Sequence, residues 1–203
     1  MEERLSSHLG PLTPLRRDGE EPLVHEGEPV GTLAGFWSWA CSDLASNTMR
    51  GVLAEYLVAT ALDAADGTRT EWDVVDIRTP EHGAVEVKSA AYLQSWHQDA
   101  LSKISFSIAP AAGWDSSTGT TSTEVRRHAD VYVFCLLHHQ DKRSLDPLDL
   151  GQWVFYVLPT RVLDEHHPGQ KTIVLSRLRQ LDPTEVGFSD LSEAVSSCLN
   201  QQR

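Results

Sequence analysis

Glu86 and Lys88, in the run Gly83-Ala-Val-Glu-Val-Lys-Ser-Ala90, are the residues of this sequence best placed to do chemistry. With a side-chain period of two, Val85 and Val87 bury one face of a strand, while Glu86 and Lys88 project together from the other. A carboxylate beside an ammonium can hold a hard cation while the lysine steadies or activates a water next to it. The same spacing also suits a surface salt bridge, a common and weak arrangement. A second acid, Glu55, stands out by its setting. Between Gly51 and Leu62 only Glu55 and Thr60 are polar, and a helix apolar all round is a buried one. A carboxylate there requires a metal, a donor or a cation such as Arg50, because an unpaired buried charge is very costly.

The elements that position these residues read as follows. Thr48 to Leu62 is a helix with Asn47 as its N-cap. Glu71 to Ile77 reads as a strand, with Asp73 and Asp76 on opposite faces, so only one of them can look toward Glu86. Thr79 to Gly83 is the turn into the Glu86 strand. Tyr92 to Ser102 is expected as a helix with Gln94 and Gln98 one turn apart. Ile104 to Ile108 is a short strand, Ala111 to Glu124 a Ser/Thr/Gly loop, and Ala129 to Leu137 a central strand covered on both faces. Trp153 to Leu158 is a second buried strand, Thr160 to His166 a short helix, Lys171 to Ser176 an edge strand, and Leu191 to Leu199 a closing helix. Upstream, Thr32 to Leu44 is an aromatic-rich helix whose Phe36, Trp37 and Trp39 are read as core or lid packing rather than as a base-stacking platform. Residues 1–31, rich in Pro and acids, form a polar arm, and 32–203 a single domain.

This order of a buried helix with one Glu, a strand with an Asp, a hairpin and a Glu-x-Lys strand resembles the PD-(D/E)XK nuclease superfamily. The matching residues are Glu55, Asp73 in Glu-Trp-Asp-Val-Val, and Glu86 with Lys88 in Val-Glu-Val-Lys-Ser, and the likeness is close from about Asn47 to Ser102. The proline that names the motif is absent, Trp72 standing before Asp73. The resemblance implies an α/β fold with a restriction-endonuclease-like mixed central β-sheet flanked by helices. It also implies a Mg²⁺-dependent DNA nuclease of restriction, phage-defence or repair type, with Mn²⁺ as a substitute metal. Asp73 and Glu86 would hold the metal, with Asp76 as the competing aspartate, and Glu55 would complete or tune the site. Lys88 would act on the water and the developing negative charge, and Gln98 would bind a phosphate near the scissile bond.

The totals constrain the partner. The formal net charge is -12, but residues 1–83, 84–143 and 144–203 carry -9, 0 and -3. Glu86 thus sits in the least acidic third, and Lys103, Arg126 and Arg127, with Arg177 or Arg179, are the cations expected to rim a DNA cleft. The acidic remainder suits an alternative reading, a catalytically inactive nuclease-fold module that binds nucleic acid or a protein partner. A homodimer is compatible with either. Cys41, Cys135 and Cys198 offer neither a disulfide framework nor a zinc pattern. No apolar run is long enough to span a bilayer, and a cytoplasmic protein is expected. His138-His139 and His166-His167 are adjacent pairs whose side chains diverge, which makes a poor two-ligand clip.

Overall fold

A computed structural model describes residues 12–200 except 72, 81, 82 and 116–119. In chain order the elements are β1 (Pro22–His25), β2 (Glu28–Thr32), α1 (Leu33–Cys41), α2 (Asn47–Ala61), β3 (Ile77–Thr79), β4 (Gly83–Ala91), β5 (Ser105–Ser107), β6 (Ala111–Asp115), β7 (Thr120–Arg126), β8 (Val131–Leu137), β9 (Trp153–Pro159), α3 (Thr160–His166), β10 (Thr172–Val174), α4 (Leu175–Arg179), β11 (Thr184–Val186) and α5 (Leu191–Asn200).

The most apolar run in the chain dictates the centre. All seven residues of β8 are buried, and β8 lies between β4 and β9 in a sheet of order β11-β9-β8-β4-β3. The β4–β8 pair is parallel and the other pairs are antiparallel. This is the mixed α/β sheet flanked by helices that the sequence leads one to expect. Alternation along β4 and β8 then divides the core in two. Val85, Val87, Val131, Val133 and Cys135 pack against Ala54, Leu57 and Val58 of α2 and Leu191 and Val195 of α5. Ala84, Ala90, Tyr132, Phe134 and Leu136 face the other way, onto Phe106, Ile108, Leu163 and Leu178. Phe106 meets Phe134 edge to face at 5.1 Å, and burial of each such ring stabilises the fold by roughly 1.5–3 kcal/mol.

Several elements depart from the sequence expectation, for physical reasons. Ser46, not Asn47, caps α2, its side chain accepting from Met49 N, which frees Asn47 for another partner. Residues 73–76 are not a strand, because their carboxylates take up backbone amides: Asp73 Oδ1 accepts from Val74 N at 2.6 Å, and Asp76 Oδ2 from Val87 N at 2.7 Å. Such side-chain acceptors compete with a regular ladder. Residues 92–102 form a closed loop instead of a helix. Ser102 N donates to Tyr92 O at 2.9 Å, while Gln98 accepts from Gln94 N at 2.7 Å and donates to Tyr92 O at 3.1 Å.

The Ser/Thr/Gly stretch expected as a loop is instead the hairpin β6–β7, with 116–119 outside the described residues. The expected edge strand is β10, which pairs with β5 in a separate two-stranded sheet. Part of the polar arm is ordered as the hairpin β1–β2. Residues 1–11 of that arm, Trp72, and Glu81 and His82 of the turn lie outside the described residues. The aromatics of α1 are not core: no residue of that helix is buried, and Trp39 is 85% exposed. Among the described residues no helix is long and apolar enough to cross a membrane.

Candidate active site

Strand alternation sends Glu86 and Lys88 out of the same face of β4, and the register sets them beside Tyr132 and Phe134 of β8. An aromatic floor makes this a poorly solvated place for charge. Lys88 Nζ lies 2.5 Å from Glu86 Oε1 and 3.9 Å from Asp76 Oδ2, with the three side chains only 19% to 26% exposed. Asp76 comes close because β3 pairs with β4 no further than Ile77 with Val85. The residue before Ile77 is therefore free to turn its carboxylate onto the Val87 amide.

The electrostatics follow from this crowding. Burial, then the Glu86 charge, raises the Asp76 pKa to about 6, since a carboxylate in a dry site beside a like charge resists ionisation. For Lys88 burial alone would lower the pKa, but the carboxylates of Glu86 and Asp76 outweigh it and hold the ammonium above its ordinary value. Burial, and after it Glu86, pushes the Tyr132 phenol up as well. Cys135 is buried on the opposite face, its thiol pushed well up by burial, which makes it a poor nucleophile.

Glu55 approaches the cluster from α2 but is already paired. Arg69 grips it with Nε on Oε2 and with Nη2 on Oε1 at 3.1 Å. The partner is thus Arg69, and not the Arg50 considered from sequence. No periodic signal marks Arg69, because it sits in an irregular stretch. Glu55, Arg69, Asp73 and Asp76 line one cavity of about 420 Å³.

Asp73 occupies the outer edge. Its side chain is 38% exposed and 3.8 Å from Arg78 Nη2, so Asp76, and not the Asp73 preferred from sequence, is the aspartate brought to Lys88. Asp73 and Glu86 do share the wall of a second cavity of about 570 Å³, roofed by Ala111, Ala112 and Trp114 of β6 and by His128. Glu86 therefore opens into a groove under a hairpin.

The remaining expected residues divide. Gln98 braces the 92–102 loop and also donates to Ser102 Oγ at 3.1 Å, so its hydrogen bonds are committed to the backbone and to a neighbouring wall. Arg127 cannot rim a cleft. Its side chain is 0% exposed and bonds Asp164 at 2.6 Å, with Ile108 O at 2.8 Å and His167 O at 2.7 Å. Arg126 is half-exposed on β7, 3.3 Å from Glu124, and Lys103 is exposed. Arg179 is engaged with Tyr156 and Glu185, while Arg177 reaches Gln180.

Among the described residues no group of three or more His, Cys, Asp and Glu is arranged to hold a metal ion. The pair Asp76 and Glu86 still fits a hard cation. Mg²⁺ is commonly held by one or two carboxylates, with waters and substrate phosphates completing its octahedron.

Over residues 39–195 the chain matches a family model, that of bacteriophage T4 endonuclease IV. Comparison with curated proteins finds no match.

Proposed function

The chain belongs to the bacteriophage T4 endonuclease IV family, and from that premise we propose that it is a Mg²⁺-dependent DNA endonuclease of restriction, phage-defence or repair type. In this reading Asp76, Glu86 and Lys88 form the reacting centre, the last two on a PD-(D/E)XK-like β4. The observation that carries it is the Lys88 ammonium set between two carboxylates on an aromatic floor, at 2.5 and 3.9 Å. Phosphodiester hydrolysis needs such a centre, because water must attack a phosphorus whose oxygens are already negative and gain more charge in the transition state.

A Mg²⁺ held by Asp76 and Glu86 would supply charge neutralisation at the phosphoryl oxygens and a more acidic bound water. The chain's own residues do the rest. Lys88, whose pKa is held up by its carboxylate neighbours, stays protonated at neutral pH. It is a donor to a water or a phosphoryl oxygen and not a general base. Asp76, whose pKa is raised to about 6 without the cation, would be held ionised as a ligand once the cation is bound. The Glu55–Arg69 pair closes the side of the cavity and fixes the loop that delivers Asp76.

A second reading, a nuclease-fold module that binds nucleic acid without cutting, is favoured by one observation: Arg69 already neutralises Glu55, leaving two carboxylates at Lys88. Plasmid cleavage with MgCl₂ or EDTA, on the parent and Lys88→Ala, separates the two. Metal-dependent nicking that Lys88→Ala loses supports the enzyme. Intact plasmid in both, with Mn²⁺ failing to bind by calorimetry, supports the binding module.

A further inference from the structure

Among the described residues Arg50 is a buried cation with no counter-charge. The residue is 4% exposed, and every partner of its guanidinium is neutral: Ala45 O at 3.2 Å, Gln94 Oε1 at 3.2 Å and Asn47 Oδ1 at 2.7 Å. Its Nε has no hydrogen-bond partner. A buried charge without an opposite charge is among the most expensive arrangements in a fold, and burial lowers the Arg50 pKa accordingly. A purely structural staple between α2 and the 92–102 loop would be served as well by a neutral side chain.

The guanidinium does not face apolar core. It lines a cavity of about 280 Å³ together with Asn47, Ser89, Gln94, Ser102 and Lys103, and among the described residues no Asp or Glu forms part of that wall. In a chain of net charge -12, a pocket with two cations, five neutral polar side chains and no acid among its described lining residues is an anion site by composition. Ser102 is fixed in that wall by Gln94 Nε2 at 3.2 Å and Gln98 Nε2 at 3.1 Å, which gives the expected phosphate-binding Gln98 an indirect part. Ser89 follows Lys88 on β4 but projects from the other face, the one that carries Cys135 and meets α2, so the pocket lies across the strand from the Lys88 side chain.

We propose that this pocket binds a phosphate group, with Arg50 as its buried charge and Lys103 as its exposed one. On the reading of the chain as a nuclease, on which this part rests, the phosphate belongs to the bound nucleic acid. Either an internal phosphodiester or a terminal phosphate supplies the shared chemistry. The site holds the strand by a group outside the reacting centre.

The test uses the full chain in EDTA, so that binding is read without cutting. Melting is followed in sodium phosphate against sodium chloride at matched ionic strength, and anisotropy measures binding of a labelled DNA oligonucleotide carrying either a 5′-phosphate or a 5′-hydroxyl. Two variants outside the reacting centre are compared with the parent: Lys103→Ala, and Ser89→Asp, which puts a carboxylate beside Arg50. Phosphate should raise the parent's Tm. Ser89→Asp should raise the Tm without phosphate, abolish the phosphate response and weaken DNA binding by about tenfold or more, as loss of a charged hydrogen bond does. Lys103→Ala should weaken both ligands while leaving the Tm unchanged. Preference for the 5′-phosphate assigns a terminal group, and equal affinity an internal one.

A parent indifferent to phosphate, or a Ser89→Asp variant that responds to it as the parent does, overturns the pocket. If DNA binds the parent and both variants alike, the pocket falls and the nuclease reading stands. If phosphate binds and both variants lose it, but DNA neither binds nor is cut, the anion site stands and the nuclease reading falls.

Discussion

Asp76→Asn should make the metal-free protein more stable at neutral pH, and the gain should vanish in acid. The Asp76 pKa rises from 3.8 to about 6 on folding. At about 1.4 kcal/mol for each tenfold change in proton affinity, that rise corresponds to about 3 kcal/mol. The sign follows from proton counting. Between about pH 4 and 6 the folded chain keeps a proton that the unfolded chain has released, so this group's contribution falls as pH rises through the window and is lost above it. An asparagine keeps an oxygen for the Val87 amide, bonded at 2.7 Å, and has nothing to ionise. It does forfeit the attraction of Lys88 at 3.9 Å, which offsets part of the gain. A net of about 2 kcal/mol at pH 7.5 is expected, or about 4–8 °C in Tm for a chain of this length. Calorimetry in EDTA from pH 4 to 7.5 checks this. The gap between variant and parent should open with rising pH, and MgCl₂ should close it by stabilising the parent alone. Parallel melting curves, or a gap that widens toward low pH, would refute the crowded-carboxylate account.

Four further outcomes follow from the same geometry. Lys88→Ala should lower plasmid nicking by about 10² or more while Mn²⁺ affinity by calorimetry largely survives, whereas Asp76→Ala should lose both and Asp73→Ala should retain most of the metal affinity. Arg127→Met should destabilise the fold by about 2–4 kcal/mol in urea titration, because it strips the partner from Asp164 and from buried carbonyls. Arg126→Ala should leave stability unchanged and reduce the salt slope of DNA binding by about one. Gln98→Ala should cost about 1–2 kcal/mol by loosening the 92–102 loop, and cleavage should fall only as far as the Arg50 pocket is disturbed.

The β-sheet was legible because its signals are local. The apolar run at Val131 to Leu137 has one sensible place in a sheet, and alternation at Val85 to Lys88 assigns Glu86 and Lys88 to one face without any tertiary information. The choice between Asp73 and Asp76 was not of this kind. A strand pattern cannot foretell that carboxylates will capture amides and end the ladder at Ile77, which is what carries Asp76 to Lys88. Tyr92 to Ser102 has helical spacing and no Gly or Pro, yet Gln94, Gln98 and Ser102 satisfy the backbone from their side chains and make a loop cheaper. Arg127 sits in a basic cluster of the sequence, and only the fold reveals that Asp164, 37 positions later, pairs with it in its buried place. Exposure of the α1 aromatics escaped for the opposite reason, since large side chains on a helix are read as core by default.

The hydrogen bond from the Val87 amide to Asp76 gives the site a reporter that needs no label beyond ¹⁵N. Because the acceptor is a titrating carboxylate and not a neighbouring strand, the Val87 resonance should move with an inflection near pH 6, while amides facing β8 stay still. A cation settling on Asp76 would shift the same peak at constant pH, and its exchange with solvent would slow as the carboxylate is pinned. One backbone proton thus carries the protonation and occupancy of the Asp76, Glu86 and Lys88 cluster into a two-dimensional spectrum, where both can be followed without any assay of cleavage.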